Sequence, residues 1–227
     1  MARRARRKGP AQPTEVAAPV AGTSGRFWLL VVAVFFAGVA SLIYEVVWIR
    51  VLGLSLGSTA VAFSVMLSAF LGGLALGGWY MGKRSDSMTS PVNTLMWVEV
   101  AAAVLGVLAI PALKGAGRAY VYATVALAGS ALASLTLRSV VALVVMLIPA
   151  TLFGMTFPLA TVAGGRMVGG QKAAGTIAAA SSFGSAVGAL VCGLWLEPAF
   201  GLLTAAVIGA GFNLLAAACA FGVHRRA

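Results

Sequence analysis

Long uninterrupted apolar runs are the feature that most limits what this chain can fold into. Several of them reach the roughly 20 residues that a helix rising about 1.5 Å per residue needs to cross a hydrocarbon core about 30 Å thick. They lack the alternation of polar and apolar residues that is typical of outer-membrane barrel strands. With 61% hydrophobic and 9% charged residues, the composition excludes an ordinary soluble domain. The sequence therefore predicts an all-α fold, a polytopic bundle of transmembrane helices.

The apolar runs predict about six spans and leave one segment ambiguous. The spans cover 27–51, 58–82, 91–113, 137–162, 174–196 and 201–223. The run "RAYVYATVALAGSALASLT", residues 118–136, is apolar but short. It could be a seventh span, a re-entrant segment or an interfacial helix.

The distribution of basic residues favours six spans over seven. With six spans and a cytoplasmic N-terminus, twelve basic residues lie inside and four outside, whereas seven spans give nine and seven. The excess of Lys and Arg in cytoplasmic loops therefore places both termini in the cytoplasm. Residues 118–136 are then expected to lie at the outer face or to dip into it. We expect a multi-pass protein of a bacterial inner membrane.

The net charge of +11 is concentrated at the N-terminus rather than on a nucleic-acid-binding surface. Five of the sixteen basic residues lie in the first eight positions, within a Pro- and Ala-rich segment. We predict a disordered basic cytoplasmic tail over 1–25 and a transmembrane domain over 26–227. The tail either contacts anionic lipid or only retains the N-terminus in the cytoplasm. Membrane lipids are expected partners, and nucleic acid is not.

Small residues recur at helical spacing in two of the predicted spans. In "SAFLGGLALGGWYMG", Ala69, Gly73 and Gly77 share one helix face, and in the fifth span Gly184 and Gly188 do the same. Such faces allow two helices to approach closely. They predict tight packing, either within one chain or between chains.

Two prolines interrupt the predicted fourth span. Pro149 and Pro158, in "PATLFGMTFP", remove backbone donors and are expected to bend the helix. Broken helices often mark transporter sites, but a packing kink without a ligand is the alternative.

Glu45 is a carboxylate inside the predicted first span, in "SLIYEVVWIR". Burying an unpaired acid in the membrane costs at least about 2.5 kcal/mol, so such acids are usually paired or face a cavity. Arg50 lies about 140° away around the helix, which makes a direct pair awkward. Arg138, on the fourth span, is the best candidate partner. A structural ion pair, a proton or cation site, and a contact to another subunit remain open.

Glu99 lies in the predicted third span, near its cytoplasmic end. If the predicted boundaries hold, most of the thickness of the hydrocarbon core separates it from Glu45, so the two acids do not form one site. Glu197 precedes Pro198 at an outer helix end and is expected to be a solvated boundary charge.

Catalytic and metal-binding residues are sparse. The single histidine, His224, lies beside Arg225 and Arg226, and neither Cys192 nor Cys219 has a His or an acid at ligand spacing. We therefore expect no catalysis, no metal and no cofactor.

Three blocks of the sequence resemble a known family. They are "FFAGVASLIYEVVWIRVLGLSLGSTAVAFSVMLSAFLGGLALGGWYMGKRSD", "LIPATLFGMTFPLA" and "GTIAAASSFGSAVGALVCGLWLEPAFGL". The chain resembles the membrane domain of bacterial spermidine-synthase-like proteins, the fused major-facilitator/spermidine synthase group. Ala178 and Ser181 stand where that family usually has Tyr and Asn. The sequence lacks the family's aminopropyltransferase domain, so the resemblance does not imply transferase chemistry.

Two functions follow as expectations. The first is a non-catalytic structural or accessory subunit of a membrane complex, with protein partners or as a homo-oligomer. The alternative is a small transporter or binding module, resembling half of a major-facilitator protein, in which Glu45 and Glu99 attract a cationic solute such as a polyamine. A transporter should show a polar cavity that reaches one of these acids. No convincing internal repeat is visible in the sequence.

Overall fold

The computed structural model describes residues 23–56, 59–126 and 131–225, with the side chains at 55, 56, 59, 116–126, 131, 132, 134, 135 and 138 left out. The N-terminal tail predicted over 1–25 lies almost entirely outside the described residues. Six long helices form the described fold, which is all-α as predicted. They are α1 (Thr23–Leu56), α2 (Thr59–Gly82), α3 (Pro91–Ala126), α4 (Ala131–Val168), α5 (Gly170–Val191) and α6 (Glu197–Arg225). A 3-10 turn (Ser85–Ser87) precedes α3, and a π-helical turn (Cys192–Leu196) joins α5 to α6.

Five continuous helical stretches of the described chain are long and apolar enough to cross a membrane. The last of them, Gly170–Arg225, has 56 residues and would extend about 84 Å as one straight helix. It breaks at Gly201, where φ is 77°, a left-handed conformation that favours glycine. Because α5 and α6 both pack along α1, this stretch folds back as two helices.

Neighbouring residue pairs show that the helices alternate in direction. Gly184 and Gly188 of α5 lie beside Phe35 and Val39 of α1, so α1 and α5 are parallel. The ring of Phe27 lies beside Gly164, whereas Trp48 lies near Phe153, so α1 and α4 are antiparallel. At the end of the bundle where α1 begins, His224 of α6 contacts Ser90. The start of α1 and the end of α6 therefore lie at one face.

The segment 118–136 differs from its predicted form. Residues 118–126 continue α3 and residues 131–136 begin α4, while 127–130 lie outside the described residues. Residues 118–126 contain neither Gly nor Pro, so nothing in their sequence ends the helix. The described residues of this segment thus belong to α3 and α4 and do not form a separate interfacial or re-entrant element.

The helices pack as two related halves. The most extensive partners of α1 are α5 and α6, and those of α4 are α2 and α3. Suppose that α1 is exchanged with α4, α2 with α5 and α3 with α6. The contacts of α1 with α5 and α6 then become those of α4 with α2 and α3, and the α1–α4 and α3–α6 contacts are unchanged. Because α1 and α4 run in opposite directions, the helices have the contact pattern of inverted repeats, except that the α1–α3 contact has no substantial counterpart between α4 and α6 over the described residues. Transporter folds use this arrangement and place their binding sites at the repeat interface.

Glycines bring the paired helices into close contact in both halves. Ala69 is buried in α2, and the glycines that follow it at four-residue spacing lie directly on α4. Those of α5 lie in the same way on α1. A β-carbon at any of these glycines would overlap the facing helix. The contacts are Gly73 with Ala150, Gly77 with Thr151, Gly184 with Phe35 and Gly188 with Val39.

An aromatic cluster fills the core between α1, α2 and α4. Tyr44 and Trp48 stack on each other at 5.6 Å, and both contact Phe153, which also meets Phe70. Buried aromatic rings of this size need partners for their polar atoms. Tyr44 donates a hydrogen bond to the Ala103 carbonyl at 3.2 Å, so the cluster also anchors α3.

Candidate functional site

A cavity of about 350 Å³ lies between α1, α2, α4 and α5. Its α1 wall includes Ala37 and Gly38, and its α4 wall includes Phe153 and Gly154. α1 and α4 are equivalent under the exchange of halves, and so are α2 and α5. The cavity therefore lies at the interface of the inverted repeats.

Hydroxyl groups supply much of the cavity's polar lining. Ser41 donates to the Gly38 carbonyl at 2.9 Å, and Ser185 donates to the same carbonyl at 3.4 Å. Ser181 and Thr156 also line the space. The rest of the wall is largely apolar or aromatic, which is typical of sites that bind small organic molecules.

Thr156 connects the cavity to a buried acid. Thr156 lines the cavity, and its hydroxyl donates a hydrogen bond of 2.8 Å to Oε1 of Glu99. Glu99 itself is only 1% exposed, between α3, α4 and α6. One residue, Thr156, thus lies between the cavity and Glu99.

Two buried oxygen atoms beside Glu99 lack a hydrogen-bond partner. They are Oε2 of Glu99 and Oδ1 of Asn213. Asn213 is fully buried in α6, and its Nδ2 donates to the backbone carbonyl of Glu99 at 3.5 Å. The gap against Glu99, lined also by Ala33 and Ala216, is too small for a water molecule. The Glu99 carboxylate therefore lies in a pocket without space for water, and its Oε2 can still accept a hydrogen bond.

Glu45 lies on the cavity side of α1 but nearer the end of the bundle where α1 ends. It follows Ser41 by one helical turn and is half-buried, whereas Tyr44 and Trp48 are fully buried beside it. The side chain of Arg138 lies outside the described residues. The Glu45–Arg138 pair thus stays a prediction.

Arg50 forms an ion pair with a residue that we expected to be a plain boundary charge. Its Nε lies 3.1 Å from Oε1 of Glu197. The Glu197 side chain is only 17% exposed, so it is not a freely solvated group. The position of Glu197 in the sequence did not reveal this pair, because the fold brings the start of α6 beside α1. The pair ties these two helices together at the end of the bundle where α1 ends and α6 begins.

Pro149 and Pro158 lie inside α4, which stays helical through both. Thr156 lies between them, two residues before the second proline. The carbonyls that the prolines leave without a helical donor include that of Gly154, beside the cavity. The part of α4 that carries Thr156 therefore has fewer internal hydrogen bonds than an ordinary helix.

The comparisons with protein-family models, curated proteins and solved structures found no match. The fold and the site therefore rest on the chain's own geometry. Across the residues that the structure describes, no group of three or more His, Cys, Asp or Glu side chains is placed to hold a metal ion.

Thr156 and Asn213 are the site residues that the sequence analysis missed. Each is a single polar residue in an apolar run, "GMTFP" and "GAGFNLLAAA". Isolated polar residues inside a span often hydrogen-bond across helices, so Asn213 could have been chosen on this signal. Their convergence on Glu99 depends on packing between α3, α4 and α6, which the sequence does not reveal.

Proposed function

We propose that this protein binds and transports a small organic cation through the cavity between α1, α2, α4 and α5. The observation that carries the proposal is the position of Thr156, which lines the cavity and whose hydroxyl donates a hydrogen bond to the buried Glu99. An ammonium group in the cavity can donate to Thr156 while the carboxylate behind it supplies the compensating charge. Aliphatic di- and triamines, such as putrescine and spermidine, fit an apolar wall with scattered hydroxyls.

The position of the cavity supports transport rather than simple storage. Inverted repeats that meet at a central site can rock about it and expose it to one side of the membrane and then to the other. Here α1 and α4, one from each half, provide opposite walls. Glu45, on the same side of α1 towards the outer end, would attract cations entering from that side.

Orientation and location belong to the same proposal. The face that holds both ends of the described chain also carries many basic residues: Arg26, Lys83, Arg84, Arg166, Lys172 and Arg225. Arg166 secures this face by donating to the carbonyls of Asp86 and Met88 at 3.1 and 2.9 Å. By the positive-inside rule we propose that it is the cytoplasmic face, and we propose a bacterial inner membrane as the location. Membership of the spermidine-synthase-like group is proposed on the three sequence blocks alone.

Binding of putrescine and spermidine to the full-length protein in lipid nanodiscs tests the proposal. We expect saturable binding to the wild type, loss of binding in Glu99→Gln, and weaker binding in Ser181→Ala, which removes a cavity hydroxyl. Ser64→Ala is the matched control, because the exposed Ser64 hydroxyl bonds only to the Ala60 carbonyl of its own helix. Absence of saturable amine binding to the wild type would reject an amine cavity.

A second candidate, a non-catalytic subunit of a membrane complex, is favoured by the side of the cavity between α2 and α5. These helices form no substantial contact over the described residues, so the cavity is not closed there. A partner chain or a second copy could cover this side. Native mass spectrometry of protein extracted from its own membrane distinguishes the two: stoichiometric partner chains favour a subunit, and a lone chain or homo-oligomer that retains an amine favours transport.

A further inference from the structure

We infer that Glu99 is a proton-binding site whose proton is exchanged for the cation in the cavity, so that the protein works as a proton/organic-cation antiporter. This inference deepens the proposed function and rests on it for the identity of the cation. The proton site itself rests on the pocket around Glu99.

The pocket around Glu99 leaves one carboxylate oxygen without a hydrogen-bond partner. Oε1 accepts from Thr156, but Oε2 has no partner, and neither has the nearby amide oxygen of Asn213. Both of these buried atoms are acceptors. A proton on Oε2 turns one of these two acceptors into a donor, which lowers the number of unmet acceptors in the pocket.

Competing occupants of the pocket are excluded by size. The gap against Glu99 has no room for a water molecule, so a hydrated metal ion does not fit. A bare metal ion would have to fit into the same gap, whose lining residues from α1 and α6 are the apolar Ala33, Val34 and Ala216. The proton is the one cation that needs no extra volume.

The charged and titratable surroundings of Glu99 favour the same assignment. From α1, Tyr44 is the titratable side chain within electrostatic range, and its hydroxyl is already donated to the Ala103 carbonyl. α4 presents Thr156, and α6 presents Asn213. In the described part of the chain, the Lys and Arg side chains form no ion pair with Glu99. A bare carboxylate here would have no countercharge until a cation enters the cavity.

Thr156 provides the route for exchange. Rotation of the Glu99 carboxyl first brings the protonated oxygen to Thr156. The carboxyl then donates its proton to Oγ1 of Thr156 while the Thr156 hydroxyl, turned towards the cavity, donates its own proton to water, so Thr156 ends unchanged. The carboxylate that remains is balanced by the ammonium group, which donates to Thr156 from the cavity side. One proton leaves for each positive charge that is compensated, and no bond other than O–H bonds is broken or made.

Infrared spectroscopy of the full-length protein in nanodiscs tests the proton site directly. At neutral pH we expect a protonated-carboxyl carbonyl band that is absent in Glu99→Gln and retained in Glu45→Gln. Adding putrescine to the wild type should remove this band, and the wild-type difference spectrum does not depend on whether a variant folds. A wild-type spectrum without the band, or with a band that Glu99→Gln retains, would overturn the inference.

Proton release on amine binding tests the exchange. In weakly buffered solution with a pH indicator, we expect about one proton released per putrescine bound to the wild type and none from Thr156→Val, whereas Thr156→Ser should release protons as the wild type does. Amine binding without proton release would reject the antiport and leave the proposed cation site standing. Failure of the wild type to bind either amine would reject the proposed function and the exchange with it, while the infrared band would still decide whether Glu99 holds a proton.

Discussion

Thr156 donates a hydrogen bond of 2.8 Å to Oε1 of Glu99 and thereby joins α4 to α3. Thr156 also lines the cavity, whereas Glu99 is buried and does not line it. A single group thus separates a buried charge from the space in which a solute could bind. The two residues can therefore couple solute binding in the cavity to the state of the buried carboxylate, and substitution of either residue should have a measurable effect.

Replacing Thr156 by Val should destabilise the protein by about 1–2 kcal/mol, because the change keeps the shape but removes a buried hydrogen bond. Thr156→Ser should retain most of the stability. Unfolding in mixed detergent micelles, followed by circular dichroism, would measure the difference. Thr176→Val is the control, since the Thr176 hydroxyl bonds to the Lys172 carbonyl of its own helix. Equal losses at both threonines would contradict a special contribution from the Thr156–Glu99 bond.

Gly77→Ala should destabilise the bundle by about 1–3 kcal/mol, because the new methyl group would overlap the Thr151 carbonyl of α4. Its neighbour Gly72 is the matched control: a β-carbon there would meet Leu147 at 3.6 Å, an ordinary contact. Gly72→Ala should be neutral or stabilising by up to about 1 kcal/mol, given the higher helix propensity of Ala. Thermal unfolding of the purified variants measures both. A Gly77→Ala protein as stable as Gly72→Ala would show that α2 and α4 are not in tight contact.

Gly188→Ala should have a similar effect in the other half. Gly188 lies on the Val39 carbonyl of α1 much as Gly77 lies on the Thr151 carbonyl of α4, in the helix pair of the other half that corresponds to α2 and α4. Gly175, also in α5, has no atom within 4 Å of a β-carbon position and provides the control. Similar losses of melting temperature in Gly77→Ala and Gly188→Ala would support the repeat. A Gly188→Ala protein that melts with the wild type would argue against it.

The class of fold could be predicted from the sequence because it depends on the length and composition of individual segments. Run length and composition alone indicate membrane helices, and the positions of the six helices follow from them. The break at Gly201 also falls at the predicted gap between the last two spans. Helix ends were less predictable: α3 continues through Pro111, Gly115 and Gly117 to Ala126, beyond the predicted end of its span.

The inverted repeat could not be predicted, because it is a property of packing rather than of residue identity. The exchange of halves relates Gly38 of α1 to Gly154 of α4, each of which lies against the backbone of its neighbouring helix. It also relates small residues to large ones, such as Ala37 to Phe153, which hides the repeat from comparison of the two halves. For the same reason the sequence indicated Glu99 as a site but not the residues that contact it.

The Arg50–Glu197 pair should contribute little to stability. Arg50 is 63% exposed, and exposed pairs typically contribute about 0.2–1 kcal/mol. A double-mutant cycle with Arg50→Gln and Glu197→Gln isolates their interaction, and we expect a coupling energy within that range that decreases at high salt. A coupling of several kcal/mol would mean that the pair is shielded from solvent, for instance by a partner chain at the outer face.

The orientation of the helices gives a prediction that separates five spans from six. If Gly170–Arg225 crosses the membrane twice, Lys172 and His224 lie on the same side, and a single crossing would place them on opposite sides. In a background with Cys192 and Cys219 replaced by Ala, we expect Lys172→Cys and His224→Cys to react with an impermeant maleimide only from the cytoplasmic side. Lys114→Cys, near the outer end of the apolar part of α3, should react only from the opposite side.

The physical reason for this orientation is the excess of basic residues at the face where α1 begins, which the positive-inside rule assigns to the cytoplasm. Labelling of Lys172→Cys and His224→Cys from opposite sides would contradict the fold-back at Gly201. Labelling of both from the periplasmic side would keep the fold but invert it in the membrane. In that case Glu45 would lie towards the cytoplasm, and cations drawn to it would enter the cavity from within the cell.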